Sequence, residues 1–221
     1  GLDLTAPHAA VVLAYDGRNQ RTWSTGLTWL DFPARQDGEL AWTVLTGDNA
    51  DIARELTRVR TRLENMVGGD RPVLAAAGRV VTDNGYDTSE TASSFAEAEA
   101  VLALLRHRGG GVQLLHADTG LAGLLLAVPR ARLEAFVQAE LGPLLDRPDL
   151  LETLAAWLET NGSRAAVAER IHVHRNSVGY RMNRVRELLG LREDAPERMW
   201  RLHAAIVARE VLTALPDRPS R

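Results

Sequence analysis

The chain has 221 residues, 26 arginines with no lysine, no cysteine, and a formal net charge of −3. That length holds one large domain or two small ones around an ordinary core. The missing cysteines exclude disulfides and thiolate metal sites. The longest apolar run, Leu121 to Val128, falls well short of the roughly 18–20 residues that span a bilayer, so a soluble, cytoplasmic protein is expected.

Ala9 to Tyr15 is a short apolar run suited to a buried strand, ended by Asp16-Gly17. Over residues 18–32, Trp23, Leu27 and Leu30 share one helical face, but Gly26 and the threonines weaken that pattern. A hairpin follows, with a turn at Gln36-Asp37-Gly38 and a strand from Glu39 to Leu45. Asp48 or Asn49 caps a long helix to about Met66, apolar at Ile52, Leu56, Val59, Leu63 and Met66 and stopped by Gly68-Gly69. Val73 to Val81 reads as a strand and Thr82 to Asp87 as a turn. A helix from Ser89 or Ser94 reaches His107, with Ser94 and Glu97 at capping-box spacing. Val112 to Leu115 is a strand, Leu121 to Ala127 is helix or strand, and Arg130 to Leu145 is a helix interrupted by Gly142-Pro143. This order predicts an α+β domain with a mostly antiparallel sheet and helices against one face.

The charge is unevenly divided. Residues 1–149 carry 14 arginines and 20 acids, a net −6, whereas residues 150–221 carry 12 arginines and 9 acids, a net +3. Such asymmetry predicts two modules with different partners. The second opens with a helix whose Asp149 and Glu152 have capping-box spacing and whose Leu150, Leu151, Leu154, Trp157 and Leu158 form an apolar stripe. Its last helix starts at Asp194 with Pro196 in the first turn, and turns Met199, Leu202, Ile206 and Leu212 inward. Residues 216–221 form a tail.

Between them lies Asn161 to Gly190, read as two helices joined by a tight turn. Ser163 caps the first helix, which turns Val167 and Ile171 inward, and Val173 points in from the turn. The second helix buries Val178, Met182, Val185 and Leu189 until Gly190 ends it. With Val178 at the buried centre, Asn176, Ser177, Tyr180, Asn183 and Arg184 fall on the opposite side, and Arg175 and Arg181 at its edges. From Arg164 to Arg186 six arginines face one acid, Glu169. Arginine can grip guanine edges or phosphates and asparagine can pair with adenine, so this helix has the parts to enter the major groove. Ser163 and Arg164 are placed to hold backbone phosphate, and His174 to cap the second helix or donate to phosphate.

The run from Leu150 to Leu191 resembles the C-terminal helix-turn-helix of the PucR/CdaR transcription regulators. The match includes Leu154, Leu158, Asn161, His174, Arg175, Asn176, Tyr180, Arg181, Met182, Arg184, Glu187, Leu188 and Gly190. It departs at Gly179, where arginine is usual in that family. The resemblance is strong over about the last 75 residues and weak before them. It implies a degenerate GGDEF-like domain over 1–146 and the helix-turn-helix domain over 147–221. In active GGDEF proteins a glycine-bearing hairpin and paired acids hold nucleotide and metal. Asp16, Asp37 and Glu39 stand at the corresponding places here, but the glycine pair is absent.

His172 and His174 lack the spacing of a helical zinc site, and no GxSxG elbow is present. Trp23, Trp29 and Trp42 could line a pocket, though core packing accounts for them. The expectation is therefore a two-domain bacterial regulator of catabolism with no catalytic residues, metal or cofactor. It would bind double-stranded operator DNA as a homodimer, without membrane contact. A small-molecule effector would act on it, sensed in an upstream domain if the chain, which opens Gly-Leu, is trimmed. Rival readings are a GGDEF-type nucleotide-binding or nucleotide-cyclising domain and a protein-interaction module.

Overall fold

The computed structural model describes residues 3–83, 87–191 and 196–215. The chain divides into two compact units, one holding the residues up to Leu126 together with Ala214 and Leu215, the other covering Ala127–Thr213.

The first unit is built on a five-stranded sheet. β1 (His8–Ala14) pairs antiparallel with β3 (Leu40–Thr46) and with β4 (Leu74–Ala77), in the order β2-β3-β1-β4-β5. β2 (Arg35–Asp37) closes one edge antiparallel to β3, and β5 (Gln113–Leu115) runs parallel to β4 at the other. Every residue of β1 is buried, because the sheet is covered on both faces. Val11 and Leu13 meet Trp23, Ile52, Leu56 and Leu63 of α1 (Gln20–Thr28) and α2 (Asn49–Val67). Val12 and Ala14 meet Ala98, Val101 and Leu105 of α3 (Ser89–Arg108). This corrects the expectation of helices on one face. An unbroken apolar run such as AAVVLA, unlike an alternating one, signals two-sided cover.

Glycine explains two places where the sequence was ambiguous. A Cβ on Gly26 would stand 3.0 Å from Leu63 Cδ2, so α1 holds together despite a weak helix former by lying close on α2. A Cβ on Gly78 would come within 2.0 Å of the Ser94 carbonyl oxygen. That close passage of α3 ends β4 at Ala77, and the predicted strand to Val81 survives only as an isolated pairing of Val81 with His8. Ser94 does not cap α3. It lies inside the helix, where its hydroxyl accepts from Ala10 N–H (3.0 Å) and donates to the Arg79 carbonyl (2.8 Å).

Asp48 caps α2 through a capping box with Asp51, and Gly68 stops it in the left-handed conformation (φ 82°). The hairpin exists, but Gln36 and Asp37 belong to β2 and the turn is Gly38-Glu39. Leu121 to Leu126 is a short helix, α4. The three N-terminal tryptophans do not meet. Trp23 is in the α1–α2 core, Trp42 packs on the α3 face with its indole donating to Glu99 (3.1 Å), and Trp29 is exposed. The expected turn at 82–87 and the cap at Asp194 fall partly or wholly outside the described residues, as does the tail at 216–221.

The second unit is helical: α5 (Arg130–Leu141), a 3-10 turn at Gly142–Leu144, α6 (Pro148–Glu159), α7 (Arg164–Arg170), α8 (Arg175–Leu189) and α9 (Pro196–Ala214). It begins at Ala127, well before the charge reversal near Asp149, since α5 folds with it. Asp149 and Glu152 form no capping box, because Pro148 opens α6 and Asp149 sits in its first turn. Along α9 the buried residues are Leu202, Ala205, Ala208 and Val211 rather than the expected Met199, Ile206 and Leu212. Small side chains permit the close approach that hydropathy favoured for large ones. Glu140 of α5, almost fully buried, joins α9 by ion pairs to Arg198 (2.9 Å) and Arg201. No helix among the described residues is long and apolar enough to cross a membrane.

Candidate nucleic-acid interface

α6, α7 and α8 pack mutually around Leu154, Val167, Val178, Met182 and Val185. Ser163 caps α7, its hydroxyl accepting from Ala166 N–H (3.3 Å). The turn then passes through His172 with φ 52°, a left-handed conformation no glycine signals in the sequence. Val173 N–H donates to the Ala168 carbonyl (3.0 Å) across this turn. His174 is the N-cap of α8, where Nδ1 accepts from Asn176 N–H (3.2 Å), and Gly190 ends the helix with φ 60°.

The burial of α8 follows its sequence period. Val178, Met182 and Val185 are buried and Leu189 is partly covered. Ser163, Arg164, His174, Arg175, Asn176, Ser177, Tyr180, Asn183 and Arg184 are exposed. Tyr180 is a large aromatic left 75% exposed, so its ring keeps apolar surface in water that a partner would favourably cover.

Arg181 departs from that set. Its guanidinium turns back toward α6, lying 3.6 Å from the Asp149 carboxylate and donating to Thr153 Oγ1 (3.4 Å). The residue sits at the edge of the outward arc, where a long side chain can reach either way, and α6 supplies the acceptors.

The other arginines are disposed in two ways. Arg170 pairs with Glu159, Arg184 donates to Glu187 (2.7 Å), and Arg186 stacks on Trp157 (5.6 Å) while donating to Asn183 Oδ1 (3.0 Å). Arg164 and Arg175 have no ion-pair or hydrogen-bond partner within the chain among the described residues. Sequence reading missed the Arg184–Glu187 pair, although its i, i+3 spacing was visible. Trp157 as a platform for Arg186 had no sequence signal.

Residues 150–208 match the PucR C-terminal helix-turn-helix domain. This part of the chain is a PucR-type helix-turn-helix. Two relatives carry it over to named regulators. The chain is 35% identical over 99 residues to the purine catabolism regulatory protein of Bacillus subtilis, covering 43% of this chain and 18% of that protein. It is 40% identical over 67 residues to the carbohydrate diacid regulator of Escherichia coli, covering 30% of this chain and 15% of that protein. The chain thus spans less than a fifth of either relative. A solved regulator of polyketide synthase expression from Bifidobacterium adolescentis aligns over 92% of this chain and 80% of its own, at 18% identity and a TM-score of 0.39. The matched residues take in α6, α7, α8 and most of α9.

In the sheet unit, Asp16 and Asp37 are exposed and Glu39 accepts from Arg106 (2.8 Å). Among the described residues no three His, Asp or Glu side chains gather as metal ligands would. Asp70 accepts from Arg18 N–H (2.7 Å) and from the buried Tyr15 hydroxyl. The Arg18 N–H and then the Tyr15 hydroxyl hold the Asp70 carboxyl below its ordinary range, and burial together with Asp70 pushes the Tyr15 phenol up.

Proposed function

We propose that the protein is a cytoplasmic, DNA-binding transcriptional regulator of a catabolic pathway, with α8 as its reading helix. The observation that carries this is the outward face of α8, where Arg175, Asn176, Ser177 and Tyr180 stand exposed on a helix fixed by its neighbours. The relatives' names supply the catabolic setting by analogy. Asn176 is assigned to base readout; Ser177, Tyr180, Asn183 and Arg184 share the groove, with Arg175 at its phosphate edge. Ser163, Arg164 and His174 contact the sugar-phosphate backbone. Arg181 supports α8 from behind through Thr153 and Asp149.

One such helix spans too few bases for selectivity, so two copies are assigned to an inverted repeat one helical turn apart. The minimal DNA-binding module is residues 147–221, with α5 as its scaffold. The unit before it serves effector reception or pairing of copies, is taken as a degenerate GGDEF-like domain, and is given no enzymatic role. The effector is a small molecule, bound here or in a domain upstream.

Titrating the protein into operator candidates and into mixed-sequence duplex over a range of salt tests the reading. Binding should weaken steeply as salt rises, by a log–log slope of about −0.9 per phosphate neutralised. Binding indifferent to salt would point instead to a protein partner for the helical unit.

A further inference from the structure

Gly179 lies in the middle of α8, where glycine is unfavourable relative to alanine. Nothing inside the protein requires it. Its backbone is helical, and a Cβ built there would meet only the end of the Arg164 side chain, at 3.9 and 4.0 Å, an ordinary contact. By contrast, Gly26 and Gly78 sit where a neighbouring element would collide with a side chain. The bare surface at 179 is therefore open outward, roofed on one side by the Arg164 guanidinium. Arg175 lies one helical turn before it on the same flank. These are the two arginines of the 164–186 segment that neither pair nor stack within the chain, among the described residues.

We propose that Gly179, Arg164 and Arg175 form a docking notch for one phosphodiester group of duplex DNA. This rests on the DNA-binding reading above and deepens it. Without a Cβ the helix surface can take a phosphate in van der Waals contact, a use of glycine wherever backbone must approach a ligand. Arg164 then closes on the phosphate from α7 and Arg175 from the start of α8, each with guanidinium donors suited to phosphate oxygens. The notch sets how deep α8 sits in the groove without reading any base.

The test compares wild type, Gly179→Ala, Arg164→Ala and the double variant, all as the full chain. Each is titrated into a mixed-sequence duplex at several salt concentrations, with thermal unfolding alongside. Gly179→Ala should melt no lower than wild type, yet bind several-fold more weakly on every sequence. Arg164→Ala should weaken binding and flatten the salt slope by about one unit. The double variant should bind no worse than Arg164→Ala alone, because both substitutions remove the same contact. Undiminished binding by Gly179→Ala, or losses that simply add, would overturn the notch while leaving DNA binding intact. Wild-type protein that binds no duplex at all would instead overturn the reading on which it rests.

Discussion

The sheet unit and α8 handle polar groups in opposite ways. In the sheet unit, charged side chains are largely consumed by one another. Arg79 pairs with Glu90 and Glu97, Arg106 with Glu39, Arg58 with Glu55 and Arg60 with Glu64. A deeply buried polar cluster is likewise turned inward: His8 meets Thr91 (2.7 Å), which donates to Asp83 Oδ2, tying β1 to the start of α3. On α8, the side chains of Asn176, Tyr180 and Arg175 carry no internal hydrogen bond or ion pair among the described residues. A surface whose polar groups satisfy each other is finished as it stands. One with uncommitted guanidinium and amide groups around an exposed aromatic ring leaves them available to a partner.

The largest break in this contrast should come from Gly78→Ala. Its Cβ meets backbone rather than a movable side chain, so the sheet unit should lose about 3 kcal/mol or more. Denaturant unfolding followed by fluorescence of the buried Trp23 would register it, and a loss below about 1 kcal/mol would mean that α3 can shift away from the sheet at little cost.

On the other side of the comparison, Asn176→Ala should leave stability unchanged but reduce discrimination at one base pair by about 1–3 kcal/mol. Competition between operator and mixed-sequence duplex measures this. Equal losses on both would assign Asn176 to the backbone instead.

Acid should act on the sheet unit through Asp70. Its carboxyl titrates below the ordinary value of 3.8 in the folded chain. The stabilisation it gives is therefore complete above that value and lost as pH falls through the lower, folded one. Asp70→Asn should be less stable near neutrality and should show a shallower decline across that acid window. Melting temperatures from neutral pH down through that range decide it; parallel curves for the two proteins would remove Asp70 from the account.

The smallest effect sharpens the contrast within α8 itself. Glu187 occupies Arg184, both of them exposed, so the pair contributes little to stability. Glu187→Gln should release that guanidinium and tighten duplex binding by a few-fold at low salt, fading as salt rises. Weaker binding would mean that Glu187 itself accepts from a base.

Much of this was legible because it depends on neighbours in sequence. The period of Val178, Met182 and Val185, the cap at Ser163 and the stop at Gly190 are local features of a helix, and each lies where the residues place it. So does α2, from its Asp48 cap to Gly68. What tertiary structure alone decided are contacts between distant segments. The two-sided cover of β1, the early end of β4 under Ser94, the inward turn of Arg181 to Thr153 and the approach of Arg164 to Gly179 arise from such contacts. The physical reason is reach: a cap or a helical stripe is fixed within a few residues, whereas a long arginine at the rim of an arc, or a glycine in mid-helix, takes its meaning from whatever the fold brings alongside.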